Sequence, residues 1–200
     1  MNMKRYFLID RENVGSKFIF GVAKLTEEDT IVIFENAQDG ELNNACKKVL
    51  KESKASVRSV KVYTRTKNAA DFQICTYLGM LIKENGNKCM YYIVSKDKGY
   101  GSCIDFIKSQ MGDEYNVKVI PSCVLDEEDK KMAVFELLEA AIGTAYRKDY
   151  GIICNGFKDT DNVREYHNYL QTHLKQEGSI VYNLMKPIYY DAREELLRCA

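Results

Sequence analysis

Two hundred residues are enough for one domain with a sizeable buried core and a small appendage. The balance of 29 basic against 29 acidic residues argues against long nucleic-acid tracts held by bulk charge, while leaving room for a local basic patch. No stretch reaches the ~20 apolar residues of a membrane span and the N-terminus lacks a basic-then-apolar leader, so a cytoplasmic protein is expected.

Five runs rich in β-branched and aromatic residues recur along the chain: Arg5–Ile9, Thr30–Phe34, Val57–Tyr63, Met90–Val94 and Val117–Ile120. Several are almost wholly apolar, the signature of strands buried on both faces of a parallel sheet. Helical stretches alternate with them at Glu41–Lys51, Ala69–Lys83 and Ser102–Met111, the second carrying Phe72, Cys75, Leu78, Leu81 and Ile82 along one side. The alternation predicts a right-handed, doubly wound α/β sandwich. From Asp126 the pattern is helical only. One helix is expected over Glu127–Arg147, an irregular apolar run follows Gly151, and further helices span Asn162–Gln176, stopped by Gly178, and Ser179–Arg198, broken at Pro187. Residues 1–125 therefore read as an α/β domain, and residues 126–200 as a helical extension packed on it.

The cysteines, seven in all, show no CxxC spacing and are expected to be reduced core thiols, not a disulfide framework or a zinc site. His167 and His173 fall on different faces of a helix and offer no ligand pair. A P-loop is absent, and Gly99-Tyr100-Gly101 lacks the third glycine of a dinucleotide fingerprint.

In a doubly wound sheet, ligands bind beyond the carboxyl ends of the strands, near the point where strand order reverses. The residues that follow the strands are Asp10-Arg11-Glu12-Asn13, then Glu35-Asn36, then Thr64 to Asp71, then Ser95-Lys96-Asp97-Lys98-Gly99. An acid follows each of the first four strands at the same edge. Singly, each carboxylate would serve as a cap or a first-turn charge. Together they repel one another unless a cation is present, and a hard ion such as Mg²⁺ takes oxygen ligands. Arg11, Arg65, Lys67, Lys96 and Lys98 mark that edge with positive charge, as a phosphate-bearing substrate would require. Tyr100 is placed to stack on a base or to pack.

The segments Leu8-Ile9-Asp10-Arg11-Glu12-Asn13-Val14-Gly15, Lys67-Asn68-Ala69-Ala70-Asp71-Phe72-Gln73 and Ile93-Val94-Ser95-Lys96-Asp97-Lys98-Gly99-Tyr100 together resemble the PIN-like and NYN nuclease domains over residues 4 to 125. The tail feels akin to a bacterial PIN-like subgroup. The resemblance implies a five-stranded parallel sheet of order 3-2-1-4-5 and Mg²⁺- or Mn²⁺-dependent cleavage of single-stranded RNA, or of DNA, leaving 5′-phosphate and 3′-hydroxyl ends. It implies that Asp10, Asp71 and Asp97 bind the metal, with Glu12 or Glu35 as a further acid. Asn13 would orient the first loop and Ser95 would support the Asp97 loop. Relatives often dimerise, so a homodimer is an implied assembly. One departure is Gly101, where many relatives carry another aspartate; Asp105 lies one turn beyond. The departure supports a second reading, a nucleic-acid or protein-binding module with weakened catalysis. A third, a phosphatase of the haloacid dehalogenase type with Asp10 as nucleophile, matches the first loop only in part.

Overall fold

The computed structural model describes residues 3–63, 66–125 and 129–198, excepting the side chains of 129–131 and 198. Its chain forms two compact units, Met1–Glu41 with Glu52–Cys123, and Leu42–Lys51 with Val124–Ala200.

The first unit is built on β1 (Arg5–Asp10), which leads directly into a single helical turn, α1 (Arg11–Val14). Two short 3₁₀ turns follow before β2 (Asp29–Glu35). Helix α2 (Asn44–Glu52) clusters with the second unit; β3 (Ser56–Lys61), α3 (Ala69–Asn85), β4 (Met90–Val94), α4 (Tyr100–Met111) and β5 (Asn116–Ile120) return to the first. All pairings are parallel and the strand order is β3-β2-β1-β4-β5, as the resemblance implied. Strand β1 is therefore central, hydrogen-bonded on both sides, and Phe7, Leu8 and Ile9 are wholly buried.

Side chains alternate across a strand, so Tyr6, Leu8 and Asp10 share one face of the sheet. On that face α3 lays down Ile74, Leu78, Leu81 and Ile82, spaced to form one helical stripe, and α4 adds Tyr100 and Ile107. Asp10 is the only charged member of this β1 series, and its parity carries it toward α3 and α4. At the start of the unit, Arg5 grips the wholly buried Asp29 through Nε and a terminal nitrogen, both at 2.6 Å.

The second unit contains α2, α5 (Asp129–Ile142), α6 (Tyr150–Asp159), α7 (Val163–Leu174), α8 (Gly178–Met185) and α9 (Tyr189–Arg198). Three sequence expectations change here. The long helix expected to reach Arg147 ends at Ile142, because Gly143 adopts φ +74° and a 3₁₀ turn follows; its expected start at Glu127 lies outside the described residues. The apolar run after Gly151, expected to be irregular, is the helix α6, whose buried Ile153, Cys154 and Phe157 form an inward face. Gly178 does not end α7, which stops at Leu174 before the left-handed Lys175. Instead it opens α8, where a β-carbon would stand 2.5 Å from the Leu170 carbonyl oxygen. Pro187 sits in a 3₁₀ turn between α8 and α9, as its missing N–H requires. Phe157, Tyr166 and Tyr189 form the aromatic centre, with ring centroids 4.8 to 5.8 Å apart. His167 stacks on Tyr182 and His173 on Tyr169, which accounts for both histidines as packing groups. Among the described residues no helix is long and apolar enough to cross a membrane.

Candidate active site

The strand order reverses between β1 and β4, and there the first acid is found. Asp10 closes β1 and is 1% exposed. The register pairs Ile9 with Val94, so the next residue of β4's chain, Ser95, comes alongside Asp10. The Ser95 hydroxyl donates to Asp10 Oδ2 at 2.9 Å and accepts the Asp97 N–H at 3.0 Å. One buried hydroxyl thus fixes two of the acids that the sequence singled out. The Asn13 backbone N–H also donates to Asp10, so Asn13 acts through its main chain.

Asp71 arrives from the first turn of α3, one turn before Ile74 enters the core. Between it and Asp10 lies Tyr100, the first residue of α4, buried at 3% exposure. Its hydroxyl is 3.1 Å from Asp10 Oδ2 and 2.9 Å from Asp71 Oδ1. A phenol has one proton to give. It donates to one carboxylate, and the other contact is satisfied only if a carboxyl proton or a cation enters. The Asp10 carboxyl is correspondingly raised above its ordinary value: burial is the main cause, Asp71 adds repulsion, and the bonds from Ser95, Tyr100 and Asn13 oppose it. Burial and the two carboxylates also push the Tyr100 phenol up, keeping it protonated.

Asp97 lies at the mouth. Its Oδ1 accepts the Gly99 N–H at 2.7 Å, and a β-carbon at Gly99 would come within 3.1 Å of that oxygen, so a glycine permits the tight loop. Asp71, Asp97 and Tyr100 line a cavity of about 460 Å³ with Lys67, Asn68, Phe72 and Cys75. Cys75 contacts Cys103 of α4, and the hydrogen bond between them lowers the Cys103 thiol below its ordinary value. Among the described residues the cysteines are free thiols.

The remaining sequence candidates separate. Glu12 and Glu35 line a different cavity, which also takes in Lys67. Arg11, expected at the substrate edge, is buried: it pairs with Glu35 at 2.6 Å and donates to the Gly40 carbonyl at 2.5 Å. It is a structural cation, and the register that sets Asp10 beside Phe34 explains why Arg11 meets Glu35. Tyr100, considered for base stacking, is instead enclosed between the acids. Lys67, Lys96, Lys98 and Asp105 are exposed, and Arg65 lies outside the described residues. Among the described residues no group of three or more His, Cys, Asp or Glu side chains stands close enough together to share a metal ion.

The donor chemistry nonetheless fits a small hard cation. Mg²⁺ keeps several waters and takes one or two protein carboxylates plus substrate phosphate. Asp71 and Asp97 open onto one cavity, with the buried Asp10 linked to both through Tyr100 and Ser95.

A comparison with protein families matches residues 4–116 to the PIN domain. The chain belongs to the PIN domain family. PIN domains are generally nucleases, and they typically use Mg²⁺ or Mn²⁺. The match is to the PIN domain as a whole and does not resolve the NYN subtype or a bacterial subgroup. No curated protein and no solved structure gives a significant match to the chain. The strand order and the position of Asp10 at the switch point accord with the PIN assignment.

Proposed function

We propose that this PIN domain is an endoribonuclease that cleaves single-stranded RNA with Mg²⁺ or Mn²⁺, using Asp10, Asp71 and Asp97 as its essential carboxylates. The observation that carries this reading is the linkage of those acids through Ser95 and Tyr100 at the sheet's switch point, beside a cavity that Lys67 shares.

Asp71 and Asp97 would hold the ion from the cavity side, and Asp10 would set their charge from behind. When bound, a divalent ion lowers the pKa of a water and offsets charge on the phosphodiester. The chain's own part is positional. Ser95 holds the backbone at Asp97, and Gly99 fixes the Asp97 carboxylate in its loop. Lys67 supplies a cation for a non-bridging phosphate oxygen, with Arg65, Lys96 and Lys98 as further candidates for the strand. Asp10 is too enclosed to attack phosphorus itself, which argues against the phosphatase reading.

The test is cleavage of an end-labelled single-stranded RNA in Mn²⁺ or Mg²⁺, wild type beside Asp97→Asn. Wild type is expected to cut, EDTA to abolish cutting, and the folded variant to be inactive. A binding module without turnover is the second reading, favoured by the Tyr100 hydroxyl standing between Asp10 and Asp71. Folded wild-type protein that binds RNA without metal, and cuts neither RNA nor DNA with either ion, would establish it instead.

A further inference from the structure

A cavity of about 490 Å³ opens beyond the carboxyl ends of β2 and β3, and the cleavage chemistry makes no use of it. Glu12, Glu35, Asn36, Lys61, Tyr63 and Lys67 contribute to its lining. Lys67 also lines the Asp71–Asp97 cavity, so the two spaces share a wall. A strand with one phosphate at Lys67 would therefore have its neighbouring nucleotide here.

Charge and shape restrict what enters. Glu35 is paired with the buried Arg11 at 2.6 Å. Glu12 is exposed, and the Asn36 side-chain N–H reaches its Oε2 at 3.3 Å, which orients it without neutralising it. An ionised carboxylate only accepts hydrogen bonds. It would repel a phosphate in the same space and attract a group bearing N–H donors. Tyr63 is 87% exposed, a ring left in water at the rim, as a stacking platform for an unpaired base is. Lys61 and Lys67 are exposed at the same cavity and suit flanking phosphates. A planar ring, a donor edge and flanking phosphates together describe a nucleotide.

We infer that this cavity is a nucleobase subsite in which Glu12 reads the base edge and Tyr63 stacks on its face, selecting guanine over uracil. Guanine presents adjacent N1–H and N2–H donors that one carboxylate can accept together. Uracil presents a single N–H flanked by carbonyl oxygens, which a carboxylate repels. The inference rests on the nuclease reading only in taking RNA as the ligand, and it makes Glu12 a base reader instead of a metal ligand.

The experiment is fluorescence anisotropy in EDTA with a labelled oligo(U) octamer and the same octamer carrying one internal guanine. Wild type is expected to bind the guanine octamer about tenfold more tightly, the scale of one good base contact. Glu12→Gln should lose most of that preference without losing oligo(U) affinity, and Tyr63→Ala should weaken both octamers about tenfold through lost stacking. Circular dichroism confirms that the variants fold. Equal wild-type affinity for the two octamers, or an unchanged preference in folded Glu12→Gln, overturns the subsite. The same octamers are then incubated with Mn²⁺. Cleavage without guanine preference removes the subsite and leaves the nuclease reading; guanine preference without cleavage removes the nuclease reading and leaves the subsite.

Discussion

Replacing Ser95 by alanine tests the centre of the site most directly. The Ser95 hydroxyl is buried and makes two bonds: it donates to Asp10 Oδ2 at 2.9 Å and accepts the Asp97 N–H at 3.0 Å. A hydrogen bond to a charged group contributes about 1.5–3 kcal/mol and a neutral one about 1 kcal/mol, so Ser95→Ala is expected to cost about 3 kcal/mol. Ser109→Ala is the control, since that exposed hydroxyl donates at 2.7 Å to the Phe106 carbonyl on a helix surface; its expected loss is within about 0.5 kcal/mol. Urea unfolding in EDTA at pH 8, followed by tyrosine fluorescence and circular dichroism, measures both. Because the chain has two compact units, the two probes are compared for coincident transitions before any free energy is extracted. The Ser95→Ala deficit should shrink as the pH is lowered, because a protonated Asp10 receives a weaker bond. A deficit no larger than that of Ser109→Ala at pH 8 would refute the claim that this hydroxyl sustains the buried acid.

Asp10→Asn should be at least as stable as wild type at pH 8. The raised Asp10 carboxyl gives wild type stability that is present below the ordinary value of 3.8 and lost as pH rises through the folded value, so the difference should close toward pH 4. The opposite slope belongs to Asp29: burial would raise it, but the Arg5 fork and Thr26 outweigh burial and lower it. Its contribution is present above 3.8 and lost as pH falls toward the folded value, and Asp29→Asn should cost about 3 kcal/mol at neutral pH in the same unfolding assay. Gly178→Ala should lower the melting temperature of the helical unit, since overpacking of a 2.5 Å approach to the Leu170 carbonyl typically costs about 1–3 kcal/mol. Iodoacetamide at pH 7.5, read by peptide mass spectrometry, should modify Cys103 before the buried Cys46, Cys89, Cys123 and Cys154, because the Cys103 thiol is half-buried and its hydrogen bond with Cys75 lowers it below the ordinary thiol value; equal labelling of all five would count against that.

Much of the first unit could be read along the chain. Apolar β-branched runs at Arg5–Ile9, Thr30–Phe34 and Met90–Val94 mark central strands, because strands paired on both sides and covered on both faces bury all but their first residues. Acids immediately following such strands lie at one sheet edge by geometry alone, which is why Asp10 and Asp97 stood out without a structure. The helices of the tail were less legible. Their boundaries depend on Gly143 and Lys175 taking positive φ, and on Gly178 serving close helix packing where a sequence reading expects a stop.

What the chain alone determined was the alternation of strands and helices and the list of polar residues at the carboxyl edge. The tertiary structure decided how that list divides. Register carried Arg11 against Glu35 and buried it, so a residue that reads as a substrate cation became a structural one. The parity of β1 turned Asp10 toward α3 and α4, where the Tyr100 hydroxyl meets it and Asp71 together. Glu12 and Glu35 went to a separate cavity. Sequence spacing fixes which edge a loop occupies, but the direction of each side chain is set by partners far along the chain, Asp10 and Tyr100 being 90 residues apart.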